Sequence, residues 1–152
     1  MGSPSHPAGK YVYSVVLDPL TRRILLARRR EASQVYWTVP KVPIRAGATC
    51  RHTAARFLRR RLGLPAVRIA PVVGRLFAID DVEKRGCVVM ALPLVGAWPR
   101  RPAQMLGPEA RWWTVREARS GDAPVEPMEL LDLVDGYWEG WLPDGEVSLA
   151  RR

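Results

Sequence analysis

The sequence predicts an α+β fold, in which a mixed β-sheet carries helices on its faces as an α/β/α sandwich. Three features support this class: two β-branched and aromatic runs near the N-terminus, two longer apolar runs in the middle, and two helical patterns far apart in the chain. A chain of 152 residues can bury roughly 70% of its unfolded surface. We therefore expect one domain with a sheet at its centre.

The first elements form a hairpin followed by a loop. Segment 11–18 (YVYSVVLD) predicts a strand, and segment 24–30 (ILLARRR) predicts its partner across a turn. Segment 36–47 (YWTVPKVPIRAG) should begin extended and then become a loop, because Pro40 and Pro43 oppose both a strand ladder and a helix.

The next segment predicts a helix with an unusual charge. Thr49 is a good N-cap, and Gly63 is a good residue to follow the helix end. Between Gly47 and Pro65 the chain has five arginines and no carboxylate. A helix this basic needs an explanation, either in its partners or in a ligand.

The second half of the chain predicts three more strands and a closing helix. The strands are apolar or aromatic, and the helix shows leucine, valine and aromatic side chains at helical spacing. The expected strands are 67–80, 86–96 and 110–115, a short helical turn follows at 116–119, and the helix runs from Glu126 to about Trp141.

Chain length, hydrophobicity and cysteine content indicate the domain organisation and the cellular location to expect. Residues 1–9 are expected to be a flexible tail, and 10–152 a single domain. No apolar run approaches the roughly 18–20 residues that span a bilayer, and the N-terminus lacks the apolar core of a signal peptide. We therefore predict a cytoplasmic protein without a membrane partner. In that setting Cys50 and Cys87 are interpreted as unpaired, small buried residues.

The net charge of +9 is divided unevenly along the chain. Between Glu31 and Asp80 there is no acidic residue, whereas the stretch from Glu109 to Glu146 holds ten acids and three arginines. This asymmetry can steer anions to one face, or the acidic part can dock on the basic part and neutralise it. The basic residues between Glu31 and Asp80 are Lys41, Arg45, Arg51, Arg56, Arg59, Arg60, Arg61, Arg68 and Arg75.

One stretch carries a family resemblance. "WTVP", a loop, "GA" and then "AARFLRRRLGL" resemble the Nudix hydrolases, whose box can be written G-x5-E-x7-R-E-U-x-E-E-x-G-U with U aliphatic. Laid on this chain without insertion, the box runs from Val42 to Leu64. The resemblance implies a Nudix-like fold over about Tyr11 to Leu142. The matching box residues are Arg56, Leu58, Gly63 and Leu64, and the matching flanks are Trp37, Pro40, Gly47 and Ala54–Ala55.

The acidic positions of the box have all changed. The family glutamates correspond here to Ala48, Phe57, Arg60 and Arg61. Positions 57, 60 and 61 share an arc of about 100° on a helix, and in the family that arc holds Mg²⁺ beside a diphosphate. Guanidinium groups repel a dication, and Mg²⁺ needs oxygen ligands. We therefore expect no metal or other cofactor, and loss of metal-dependent hydrolysis.

The same residues form the candidate binding site. Arg60 and Arg61 would clamp phosphate oxygens, because guanidinium forks make bidentate charge-assisted hydrogen bonds. Phe57 would stack on a guanidinium or cover a ligand, and Lys41 and Arg45 would complete a positive rim. The competing interpretation is that these arginines are only solvated or internally paired, with Arg56 having lost its usual glutamate partner.

Two further interpretations stay open. A Nudix-fold enzyme, either a divergent diphosphate hydrolase or an accessory enzyme of specialised metabolism, could use Asp80, Asp81 and Glu83 as its carboxylates. A scaffold could instead use Trp138 and Trp141 as a homodimer or partner surface.

The neighbouring tryptophans and the basic charge raise two more expectations. Trp112 and Trp113 should point to opposite faces of their strand, one into the core and one outward or into a cleft. The expected partners are a phosphate-containing small molecule or, as an alternative, nucleic acid, although the basic stretch carries no recognisable nucleic-acid motif.

Overall fold

A computed structural model describes residues 11–64, 66–76, 86–94, 98, 106–121 and 123–149. The strands are β1 (Tyr11–Asp18), β2 (Arg23–Glu31), β3 (Gln34–Thr38), β4 (Lys41–Pro43), β5 (Val67–Leu76), β6 (Gly86–Pro93), β7 (Ala110–Thr114), β8 (Val125–Glu126) and β9 (Gly145–Leu149). The helices are α1 (Cys50–Arg60), α2 (Val115–Arg119) and α3 (Glu129–Glu139).

Strand β1 lies at the centre of the sheet. It pairs in parallel with β6 from Tyr11 to Val16, and antiparallel with β2 at Leu17 and Asp18. Its first three residues also pair antiparallel with β4. Outward from β1 the order is β6, β5 and β9 on one side and β2, β3 and β8 on the other, with β7 also paired to β2. The predicted mixed sheet is confirmed.

The sheet separates two cores, as expected for an α/β/α sandwich. Val12 and Val16 of β1 face the core that contains α1, whereas Val15 and Leu17 face the core that contains α2 and α3. This follows from the period of two in a strand. Leu58 is fully buried in the first core, and Leu130 and Val134 of α3 are fully buried in the second.

Helix α1 begins where local chemistry predicts and ends one residue earlier than expected. The Thr49 side chain accepts a hydrogen bond from the backbone N–H of His52 at 3.1 Å, which confirms the N-cap. The helix cap lies at Arg61 rather than next to Gly63. Gly63 has φ +64° and Gly47, before the helix, has φ +82°. Both conformations favour glycine, so these two residues turn the chain on either side of α1.

The structure corrects the loop predicted after β3. Lys41–Pro43 is a short strand rather than a loop, paired to Tyr11, Val12 and Tyr13. The prolines are tolerated because Pro43 ends the strand, while the carbonyl of Pro40 still accepts a hydrogen bond from the Ser14 N–H at 3.1 Å.

Several other boundaries differ from the predicted ones. The closing helix is shorter, Glu129–Glu139, and Val125–Glu126 before it forms strand β8 beside β3. Gly145–Leu149 forms β9, which pairs in parallel with β5. Two parallel strands that are far apart in the sequence are not joined by a tight turn, so no local turn residues indicate that they pair. Strand β9 was therefore not predicted. No helix in the described ranges is long and apolar enough to cross a membrane.

The cysteine prediction was wrong. Cys50, the first residue of α1, is disulfide-bonded to Cys87 of β6, 37 residues away. The bond ties the start of α1 to the sheet. Because disulfides are rare in the reducing cytosol, this pairing gives no support to the predicted cytoplasmic location, which stays a prediction.

Removing the disulfide should lower stability. The disulfide closes a loop of 37 residues and thereby restricts the unfolded chain. Removing it should lower the free energy of unfolding by about 4 kcal/mol. In a domain of this size that corresponds to a fall in Tm of roughly 10 °C. We expect this shift when Cys50→Ala/Cys87→Ala is compared with the oxidised wild type by calorimetry. Dithiothreitol should lower the wild-type Tm and leave the double variant unchanged, and equal Tm values would contradict the bond.

Candidate functional site

The arginine side of α1 is exposed and largely free of internal partners. Arg56, Arg59, Arg60 and Arg61 are all exposed, and none of them makes an ion pair within the described residues. Arg51 differs, since its guanidinium donates to the backbone carbonyl of Ile69 at 3.1 Å. The last turn of α1 therefore presents several guanidinium groups to solvent.

Among the described residues, the C-terminal acids form no ion pair with α1. In the described ranges, Arg75 is the member of the basic stretch that forms an ion pair with the C-terminal acids, to Glu146 at 3.1 Å. Four of the other acids pair with arginines outside that stretch. These pairs are Arg23–Glu117, Arg28–Glu109, Arg119–Asp132 and Arg119–Asp135. Internal docking of the acidic tail on α1, the alternative in the sequence, is not what the described residues show.

The α1 side chains do not fit the magnesium site that the family resemblance implies. Phe57, at one of the former acidic positions, is half-buried and packs against the α1-side core. Arg60 and Arg61 are donors without lone pairs for a metal. Among the described residues no group of three or more histidine, cysteine, aspartate or glutamate side chains could hold a metal ion. The proposed carboxylates Asp80, Asp81 and Glu83 lie outside the described residues.

A second feature is a groove on the α3 face of the sheet, with a volume of about 670 Å³. We call it the lysine groove. It lies between the strands β1 to β4 and the segment that enters α3. Its chemically important side chains are Tyr13, Arg29, Arg30, Tyr36, Lys41, Glu126 and Glu129. This volume falls within the range of about 300–1,000 Å³ that is usual for small-molecule sites.

Lys41 reaches the groove over two tyrosine rings. Its ammonium nitrogen lies 4.3 Å from the ring centroid of Tyr11 and 5.7 Å from that of Tyr13. A cation within about 6 Å of a ring centroid is attracted by the negative ring face. The lysine is exposed, so its charge is held in place and still accessible to an anion.

Burial and nearby carboxylates raise the pKa of the two groove tyrosines. Burial, followed by the charge of Glu126, raises the pKa of Tyr13. Burial and a hydrogen bond from the Tyr36 hydroxyl to a Glu31 carboxylate oxygen at 3.1 Å raise the pKa of Tyr36. A tyrosine phenol is already neutral at physiological pH, and these shifts extend the neutral form of both phenols to higher pH.

The structure brings only some of the predicted site residues together. Lys41 lines the lysine groove, but Arg45, Phe57, Arg60 and Arg61 are not among the described residues that line it. Strand β4 connects the two regions, because Lys41 points to the α3 face while its neighbour Val42 packs on the α1-side core. The predicted positive rim is thus divided between a groove and a helix on opposite faces of one strand.

The residues of the family-like flanks have structural positions. Trp37 is buried on β3 and meets Trp113 edge-on, with ring centroids 4.9 Å apart. Pro40 is buried.

Sequence reasoning missed four residues that line the lysine groove, namely Tyr13, Tyr36, Glu126 and Glu129. They come from separate segments, and the sequence signals available for them were only their positions in strands and at the start of a helix. These four residues are distributed over β1, β3, β8 and α3.

The tryptophan expectations are met in part. Trp112 packs against the α1-side core and Trp113 against the α3-side core, so the pair does point to opposite faces, but neither is fully exposed. Trp138 is half-buried against the α3-side core. Trp141 is 65% exposed.

Comparison with solved structures identifies the architecture. The chain resembles a Nudix hydrolase from Nitrosomonas europaea, with a TM-score of 0.58 and 14% identity over 90% of this chain and 93% of that one. It also resembles the MutT protein of Methanosarcina mazei Go1, with a TM-score of 0.59 and 15% identity over 91% and 98% of the two chains. This chain has the Nudix fold.

A further structural match is to a protein solved with DNA. NrtR from Shewanella oneidensis, solved in complex with a 27-mer DNA, matches with a TM-score of 0.59 and 14% identity. The match covers 86% of this chain and 62% of the NrtR chain. No protein-family model and no curated protein sequence matches the chain. At these identities the comparisons establish the Nudix fold and leave the activity of this chain open.

The raised pKa of Tyr13 predicts an alkaline limit to stability. A folded-state pKa above the unfolded-state pKa means that folding favours the neutral phenol. The stability that the neutral phenol contributes is complete below the unfolded-state pKa of about 10, and it is lost as pH rises through the folded-state pKa. Wild-type Tm should therefore fall more steeply above pH about 10 than the Tm of Tyr13→Phe. Thermal melts across this range test the expectation. Parallel curves for the two proteins would show that Tyr13 is not protected from ionisation.

Proposed function

We propose that this Nudix-fold chain is a binding or regulatory module for a nucleotide or another diphosphate-bearing ligand, and that it no longer uses metal-dependent hydrolysis. The observation that carries the proposal is the exposed end of α1. There, guanidinium groups without carboxylate partners among the described residues occupy positions that are acidic in the family resemblance.

The charge at α1 supports anion binding in place of metal binding. Arg60 and Arg61 are adjacent in sequence, and Phe57 lies one turn before Arg61. Phosphate oxygens accept bidentate hydrogen bonds from guanidinium groups, and these bonds need no bridging cation. A ligand with two phosphates would offer enough oxygens for both arginines.

The lysine groove is a separate candidate pocket, because it lies on the α3 face of the sheet whereas α1 packs on the opposite face. Tyr13 and Tyr36 offer aromatic surface there, the Tyr13 hydroxyl offers a donor, and Glu126 offers an acceptor. These groups suit the flat, polar ring system of a nucleobase. Lys41 adds a positive charge on this side of the sheet, away from the α1 arginines.

Hydrolysis by the family route would need groups that α1 does not offer. In that route a divalent cation neutralises the phosphate and activates water, and carboxylates hold the cation. Arg60 and Arg61 can neutralise phosphate charge, but a guanidinium is not a base and cannot take a proton from water. Binding without turnover is therefore the activity that these side chains favour.

The first test is a set of thermal melts in EDTA with ADP, ADP-ribose and pyrophosphate. A ligand at 100 times its Kd adds about 2.7 kcal/mol of stability, which should raise Tm by roughly 5–10 °C in a domain of this size. Loss of one charge-assisted contact in Arg61→Ala should weaken binding about tenfold to a hundredfold. Lys41→Ala changes a charge on the opposite face of the sheet and should leave the ADP shift unchanged.

Arg59→Ala is the matched control, because Arg59 is an exposed arginine on the same turn but lies about 100° or more away from the 57–60–61 arc. It should keep the full Tm shift. Absence of any shift in EDTA, or an equal loss in Arg59→Ala, would contradict the proposal. Phosphate release in Mg²⁺ would support the enzyme alternative, and a steep fall in DNA affinity with salt would support nucleic acid as the ligand.

A further inference from the structure

A second groove, larger than the first, lies on the same face of the sheet. Its volume is about 1,060 Å³, and it is formed by α2, α3 and β9 with the loop between the last two. We call it the tryptophan groove. Its floor includes Leu131 and Val147, its charged wall is Arg119, Asp132 and Asp135, and its rim is the exposed Trp141.

The tryptophan groove is acidic as well as apolar. Arg119 is held by two carboxylates at once, Asp132 at 2.6 Å and Asp135 at 2.7 Å. Counting these three residues and Glu129, the lining has three carboxylates and one guanidinium, a formal net charge of −2. From residue 120 to residue 149 the chain contains eight acids and neither lysine nor arginine. The charge around the groove therefore favours a cationic occupant.

The side chains of the groove suit guanidinium groups in particular. The exposed ring of Trp141 offers a face for a cation–π contact, for which arginine is the commonest partner in proteins. Arginine also covers apolar surface with its aliphatic stem while its head group reaches carboxylates. Asp132 and Asp135 each give one carboxylate oxygen to Arg119, and the second oxygen of each stands on the wall of the groove to receive such a head group.

The same chain carries the complementary surface. Arg56 and Arg59 lie on the side of α1 away from its buried residues Ala54 and Leu58, and neither has a carboxylate partner in the described part of the chain. The stretch that contains α1 has no acidic residue from 32 to 79. This outer side adjoins Arg60, which lies one turn after Arg56, and it lies away from Phe57 and Arg61.

Within one copy of the chain, the tryptophan groove and the outer side of α1 cannot contact each other. The tryptophan groove opens on the α3 side of the sheet, and α1 packs on the opposite side. Two grooves facing each other would bring like charges together, which disfavours a symmetric contact through this surface. We propose that the tryptophan groove binds the outer side of α1, Arg56 and Arg59, from a second copy of this chain in a head-to-tail contact.

Sedimentation velocity of the full chain tests this contact. At low ionic strength the average sedimentation coefficient should rise with protein concentration. In about 1 M NaCl, where the Debye length falls to about 3 Å, it should return to that of the monomer. Arg56→Glu/Arg59→Glu and Asp132→Arg/Asp135→Arg should each raise the dissociation constant by more than about tenfold. Trp141→Ala, which leaves all charges in place, should also weaken the association.

The decisive arm mixes the two charge-reversed variants. In each variant alone, the tryptophan groove and the outer side of α1 carry charge of the same sign. In the mixture, the groove of one variant is complementary to the α1 of the other, so association should return. Glu139→Arg/Asp144→Arg is the matched control, because both residues are exposed, neither lines the groove, and the change in net charge is the same. A monomer at every concentration, an association insensitive to salt, or no rescue on mixing would overturn the proposal.

Discussion

The whole architecture depends on strand β1, whose alternate side chains must be buried on both faces of the sheet. Val12 and Val16 support α1, and Val15 and Leu17 support α2 and α3. Its backbone is shared among β2, β4 and β6. A one-residue slip would exchange the two faces and expose both cores. The strand therefore fixes the register of the sheet and, through β4, the position of Lys41.

This arrangement also separates charge across the molecule. The basic segment 32–79 places its helix on one face, whereas the acidic segment 120–149 builds much of the other face. Exposed ion pairs of the kind seen at Arg75–Glu146 contribute at most about 1 kcal/mol each, so they do not explain the distribution. A protein with two opposite charged faces can bind an anion on one and a cationic surface on the other.

Local sequence signals predicted the elements that depend on local chemistry. Strand β1, the hairpin to β2 and the Thr49 cap follow from alternation and capping. Strand β4 was missed because proline was expected to prevent pairing, although a proline carbonyl can still accept a hydrogen bond. The Cys50–Cys87 bond and the lysine groove join distant segments, and no local pattern specifies such contacts. The α1 arginines were visible in the sequence, but their separation from Lys41 was not.

The central claim is that this Nudix fold binds a diphosphate through guanidinium groups rather than through a metal. Isothermal titration calorimetry of pyrophosphate, in EDTA and then in Mg²⁺, tests it most directly. The account predicts binding in EDTA that Mg²⁺ does not strengthen, because the cation competes with the arginines for the same oxygens. Binding that appears only in the presence of Mg²⁺ would contradict the account and would show that a metal site exists in this protein.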